Sequence, residues 1–169
     1  MKRILVMVML LCSMCVVCFA KLEQPTDDRW VIIGGQKGDF EIWMDVNTVK
    51  WKQSGEVGHS NHKAARVWMR TLNYKDSYDS LFCYEYDFEC SSYRFVNSSI
   101  RDDKGKILES VSREEFVSEP VTPGSGFEAV YEYIRILDTF RNNKEEYEIC
   151  IKALKDLTKQ YKNGEFTNQ

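Results

Sequence analysis

The sequence predicts an α+β domain. It would be an antiparallel β-sheet of about six strands packed against one or more C-terminal helices, preceded by a cleaved signal peptide. Three observations predict this. Residues 29–111 run as short segments in which apolar and polar side chains alternate, the period of a strand, separated by turns rich in Gly, Asn and Asp. Beyond Pro123 the apolar spacing changes to the three-and-four step of a helix. Strands first and helices last is an α+β order.

The third observation is the start of the chain. Met1-Lys2-Arg3 is basic, Ile4 to Val17 is nearly all apolar, and Cys18-Phe19-Ala20 places small residues three and one positions before Lys21, the layout of a secretory signal and its cleavage site. A membrane anchor is the alternative, but a spanning helix needs roughly 20 apolar residues. Lipidation at Cys18 is another; Cys12, Cys15 and Cys18 follow Leu11, Met14 and Val17, whereas lipoprotein processing prefers a small residue there. Removing 1–20 takes Lys2 and Arg3 with it, so the chain becomes more acidic than its formal charge of −3. A mildly acidic protein is not a general binder of nucleic acid or anionic membranes. The remaining length suits one domain, at 21–137, with a helical extension at 138–169; no later segment is long and apolar enough to cross a bilayer.

The elements follow in order. Lys21 to Asp28 is polar and reads as a flexible leader. Arg29 to Ile33 is a short strand stopped by Gly34-Gly35. Phe40 to Asp45 alternates Phe40, Ile42 and Met44 against Glu41, Trp43 and Asp45; Asp45 to Thr48 turns, and Val49 to Gln53 alternates again. Ser54 to Lys63 is a Gly-, Ser- and Asn-containing loop. Ala64 to Tyr74 and Leu81 to Cys90 are long strands around a polar turn, the second with Phe82, Tyr84, Tyr86 and Phe88 on one face. Tyr93 to Ser98 and Ile107 to Val111 flank the turn residues Asp102-Asp103-Lys104-Gly105. Ser125 to Glu128 is a capping box opening a helix with Val130, Ile134 and Leu137 inward. Asn143 to Glu146 can cap a second helix whose apolar face is Tyr147, Cys150, Ile151, Leu154, Leu157 and Tyr161.

Several of these segments together resemble the bacterial surface-adhesin protein E family. The matching residues are Trp30-Val31, Trp43-Met44-Asp45 with Asn47-Thr48-Val49, Arg66 to Met69, and Tyr84 to Asp87 leading to Cys90. Lys104 to Lys106 and Val121 to Ser125 follow. The resemblance covers residues 29–137. It implies a small exported α+β domain of Gram-negative-type bacteria, whose named representative is a cell-surface adhesin binding host extracellular-matrix and serum proteins. Three cysteines follow the signal segment, so at most one pair forms. The family's pairing of a strand cysteine with a helix cysteine implies Cys90–Cys150, with Cys83–Cys150 as the alternative; such a loop is worth roughly 4 kcal/mol in the chain-entropy model. Cys83 and Cys90 lie an odd number of residues apart on one strand and do not pair with each other.

The residues offer little for chemistry. His59, His62 and Glu56 have zinc-ligand character but sit in the loop with no helix to set their spacing, and no metal or cofactor is expected. Asp27-Asp28, Asp102-Asp103 and Glu114-Glu115 are adjacent pairs, which rarely converge on one substrate, and read as solvated surface. No nucleophile elbow or phosphate loop occurs, so no enzyme is expected. The basic residues are more informative. Lys50 and Lys52 flank Trp51, and Arg66 and Arg70 share a face with Trp68 between them. Paired, these strands would build a basic and aromatic face suited to a protein partner, or a solvated outer face. The function expected is therefore an exported, non-enzymatic binding module in the periplasm or at the cell surface, recognising a host-matrix or envelope protein through Lys50, Lys52, Arg66, Trp68 and Arg70. A structural accessory of an envelope complex, a homodimer through a sheet edge, and a carrier of a small apolar or haem-like ligand between sheet and helix remain open.

Overall fold

The computed structural model describes residues 22–54, 62–102, 104–112 and 118–165. Residues 1–21, where the signal peptide is expected, and Glu56, His59, Asp103 and Glu114-Glu115 lie outside the described residues, as does the side chain of His62.

The described residues form an antiparallel sheet and two helices. The strands are β1 (Trp30–Gln36), β2 (Phe40–Asp45), β3 (Lys50–Ser54), β4 (His62–Asn73), β5 (Tyr78–Asp87), β6 (Ser92–Asp102), β7 (Ile107–Ser112) and β8 (Glu119–Pro120). The helices are α1 (Gly126–Phe140) and α2 (Lys144–Asn163). β3 corresponds to the alternating segment expected at Val49 to Gln53, and the main path is β1-β2-β4-β5-β6-β7. Two short strands are added beside it: β3 pairs with β4, and β8 with β6.

β4 explains how β3 joins the sheet. Its Met69 to Asn73 half pairs with β2 and its His62 to Arg66 half with β3. Between them, Asp45 accepts the Asn47 N–H at 3.1 Å and turns the chain through one short 3-10 turn, Val46–Thr48. Thr48 Oγ1 then accepts the Trp68 N–H at 3.2 Å, covering the place on β4 where neither neighbour pairs.

Alternation divides the sheet into two faces. The inner face carries Val31, Met44, Ala65, Val67, Met69 and Tyr86 against Val130, Tyr131, Ile134 and Leu137 of α1. Tyr84 and Phe88 join this cluster, as the β5 alternation predicts. Ser125 Oγ accepts the Glu128 N–H at 3.2 Å and caps α1, while Glu128 reaches back to the Gly124 N–H. Asn143 caps α2 in the same way through the Glu146 N–H.

Three expectations need correction. β1 does not stop at Gly34-Gly35 but continues through a bulge to Gln36. At Gly35, with φ +106°, a Cβ would collide with the Phe40 carbonyl oxygen, so glycine here permits close strand approach. The leader is not loose: Lys155 Nζ lies 3.1 Å from Asp28 Oδ2, and Lys162 Nζ donates to the Pro25 carbonyl, so α2 holds residues 22–28. Finally, among the described residues no disulfide joins Cys83, Cys90 and Cys150. Cys83 is buried among outer-face side chains, Cys150 packs against the inner cluster, and Cys90 stands exposed beyond the end of β5. The sheet separates Cys83 from Cys150.

Candidate functional site

Pairing of β3, β4 and β5 brings the predicted residues together. The register places Lys50 beside Arg66, Arg66 beside Glu85, and Glu85 beside Arg94, one row across four strands of the outer face. Lys52, Trp68 and Arg70 share that face by alternation. Three signals meet at Glu85. Arg94 Nη2 lies 2.8 Å from Oε1, Arg66 Nη2 2.9 Å from Oε2, and Lys52 Nζ 3.5 Å from Oε2. Both arginines also donate their Nε to the same carboxylate oxygens, at 3.0 and 3.1 Å. Glu85 and Arg94 are each about 5% exposed.

Burial acts to raise the Glu85 carboxyl's pKa, but the hydrogen bonds and charges of Arg94 and Arg66 outweigh it and hold the group below its ordinary range. Neighbouring Cys83 goes the other way. Burial pushes its thiol up to about 11, only partly opposed by the Arg66 charge, so it is not a thiolate near neutral pH. Arg70 is a separate pair: its Nε and Nη2 lie 2.9 and 3.0 Å from the two Asp79 oxygens. The expected stripe is therefore present but its cations are braced by Glu85 and Asp79, which sequence reading left out. Arg94 was missed as well. Part of the signal was available: Glu85 sits on the polar side of the β5 alternation, and the observed register sets it opposite Arg66.

A second carboxylate on this face was invisible to sequence reading. Glu41 of β2 is fully buried. Its Oε1 accepts from Gln24 Nε2 at 2.7 Å and from the Tyr161 hydroxyl at 2.9 Å. Its Oε2 accepts from the Tyr74 hydroxyl at 3.0 Å and from Trp43 Nε1 at 3.1 Å. Burial, with the hydrogen bonds and charge of Glu41, pushes both tyrosine hydroxyls well above their ordinary range. Desolvation lowers the Lys162 ammonium, against the opposing pull of Glu41. Around this group Trp30, Trp43 and Leu72 form a second core, with Tyr161 set edge-on to Trp43 at 6.2 Å. The C-terminal end of α2 thus reaches the outer face around the β1 edge, where Thr158 Oγ1 accepts the Ile32 N–H at 3.0 Å.

Among the described residues no group of three His, Cys, Asp or Glu side chains is placed to hold a metal, and no helix is long and apolar enough to cross a membrane. Comparison with protein-family models, with curated proteins and with solved structures found no match.

Proposed function

We propose that the protein is an exported, non-enzymatic binding module, of the surface-adhesin protein E kind, that recognises an acidic surface on a host-matrix or envelope protein through the outer face of its sheet. The single supporting observation is the row Lys50–Arg66–Glu85–Arg94, with Lys52 alongside. Four cations there face two carboxylates, Glu85 and Asp87, in a chain that is acidic as a whole. Trp68, half-buried between Arg66 and Arg70, supplies the aromatic body that interface centres favour. The bracing matters to this reading. Side chains held by Glu85 and Asp79 lose less rotamer freedom on meeting a partner than free lysines do. Export rests on the basic, apolar and small-residue pattern of residues 1–20.

Reversing Arg66 would set two carboxylates together in a buried row, so the test uses the exposed end of the face. The variant Lys50→Glu with Trp68→Ala should fold normally by circular dichroism. It should lose capture of matrix proteins and of envelope extract on a sensor surface, and the wild-type signal should fall with added salt. Undiminished capture by the folded variant rejects the outer face as the binding surface.

A further inference from the structure

The inner face of the sheet is not covered evenly. α1 begins at Gly126, which packs so closely on Ile42 that an added Cβ would come within 2.5 Å of its Cδ1. Beyond that helix start, a groove of about 500 Å³ lies open along the sheet. Its floor is one row across four strands: Ile42 of β2, Thr71 of β4, Ser80 of β5 and Ile100 of β6 are successive register partners. Met69, Phe82 and Phe127 wall it. No charged side chain lines it.

Ser80 is the anomaly in this floor. It is 1% exposed, and its Oγ has no hydrogen-bond partner. A buried hydroxyl without a partner costs about 1–3 kcal/mol, and such groups in folded proteins call for an explanation. A mostly apolar groove of ligand-sized volume with a few hydroxyls, among which Ser80 is buried and unpartnered, is the form of a small-molecule site. On the flanking inner face, by contrast, the Tyr131 hydroxyl is shared with Ser91 and the Phe88 carbonyl.

We propose that this groove binds an uncharged, apolar small molecule whose one hydroxyl or carbonyl oxygen hydrogen-bonds Ser80 Oγ. The site is independent of the outer face and lies on the opposite side of the sheet. Absence of a lining cation disfavours a carboxylate, whose charge would enter an apolar groove unpaired. The apolar body supplies affinity through burial against Ile42, Phe82 and Ile100. The oxygen sets its orientation.

The test uses the chain from Lys21 onward and Nile red, an uncharged apolar dye with a carbonyl oxygen. Saturable one-to-one binding with blue-shifted emission is expected. Thr71→Trp, which fills the groove, should abolish it, and Ser80→Ala should weaken it about fivefold while leaving the fold intact. Decan-1-ol should displace the dye and decanoate should not. Should Thr71→Trp fail to fold by circular dichroism, Ser80→Ala and the displacement pair decide. Non-saturable binding, equal affinity in a folded Thr71→Trp or Ser80→Ala variant, or displacement by decanoate as strong as by decanol overturns the proposal. Loss of binding on replacing the exposed Ile107 and Leu108 of β7 by serine does the same, because it moves the dye to that edge.

Discussion

Two buried glutamates on one face of one sheet are stabilised in opposite ways. Glu85 is met by charge: two arginines and a lysine from neighbouring strands converge on it. Glu41 is met by neutral donors: two tyrosine hydroxyls, an indole N–H and an amide. The difference lies in where the partners come from. Those of Glu85 belong to strands already side by side in the ladder. Those of Glu41 come from the leader, β2, the residue after β4, and the end of α2. Glu85 therefore braces a surface, whereas Glu41 ties the two ends of the described chain onto the sheet.

The largest expected effect follows from that contrast. Glu41→Ala leaves four donors facing an empty buried site and should cost about 4 kcal/mol in urea unfolding. It should also raise proteolysis of the leader and of α2 before the sheet is cut. A loss under 1 kcal/mol would mean that the four donors find water instead.

Glu85 should respond differently to paired replacement. Arg94→Met removes the most buried partner of Glu85, leaving its Oε1 without the two Arg94 bonds while Arg66 and Lys52 stay on Oε2, and should cost about 3 kcal/mol; Glu85→Leu combined with Arg94→Met should recover most of it. No single apolar partner swap can do this at Glu41, where the donors belong to four segments. A double mutant as unstable as the single one would remove the distinction between the two sites.

The pH dependence separates them further. The stability from Glu85, whose folded pKa is lowered, is complete above the unfolded carboxyl value of about 4.3 and is lost as pH falls through the folded value. Tyr74 and Tyr161 have raised folded values, so their contribution is complete below the unfolded value of about 10 and is lost as pH rises beyond it. Thermal melts should show the Glu85→Leu, Arg94→Met protein with a shallower acid limb. Tyr161→Phe should flatten the alkaline limb and lower stability near neutral pH by about 1 kcal/mol. If each variant changes the other limb, the assignments are wrong.

The smallest effect concerns the thiols. Cys90, exposed, should react with a disulfide reagent at neutral pH in the native protein. Cys83, buried with its thiol pushed up to about 11, should react only as the sheet opens. Equal rates at the two positions would place Cys83 in solvent.

Much of this molecule was legible in its residues, because the features concerned are local. Alternation assigned Phe82, Tyr84, Tyr86 and Phe88 to the helix side. Ser125 and Asn143 marked both helix starts. The shared face of Lys50, Lys52, Arg66, Trp68 and Arg70 followed from alternation on the condition that β3 and β4 pair, a condition the fold meets. Tertiary structure alone decided the rest, because it depends on partners far apart in the chain. The charge balance of that face needed β6 to bring Arg94 across from Glu85. The environment of Glu41 needed Gln24 and Tyr161 to converge from opposite ends. The separation of Cys83 from Cys150 followed from which side of the sheet each thiol reached. Strand and helix periods record which way a side chain points, but a buried polar group is defined by who meets it, and that is a property of the folded chain.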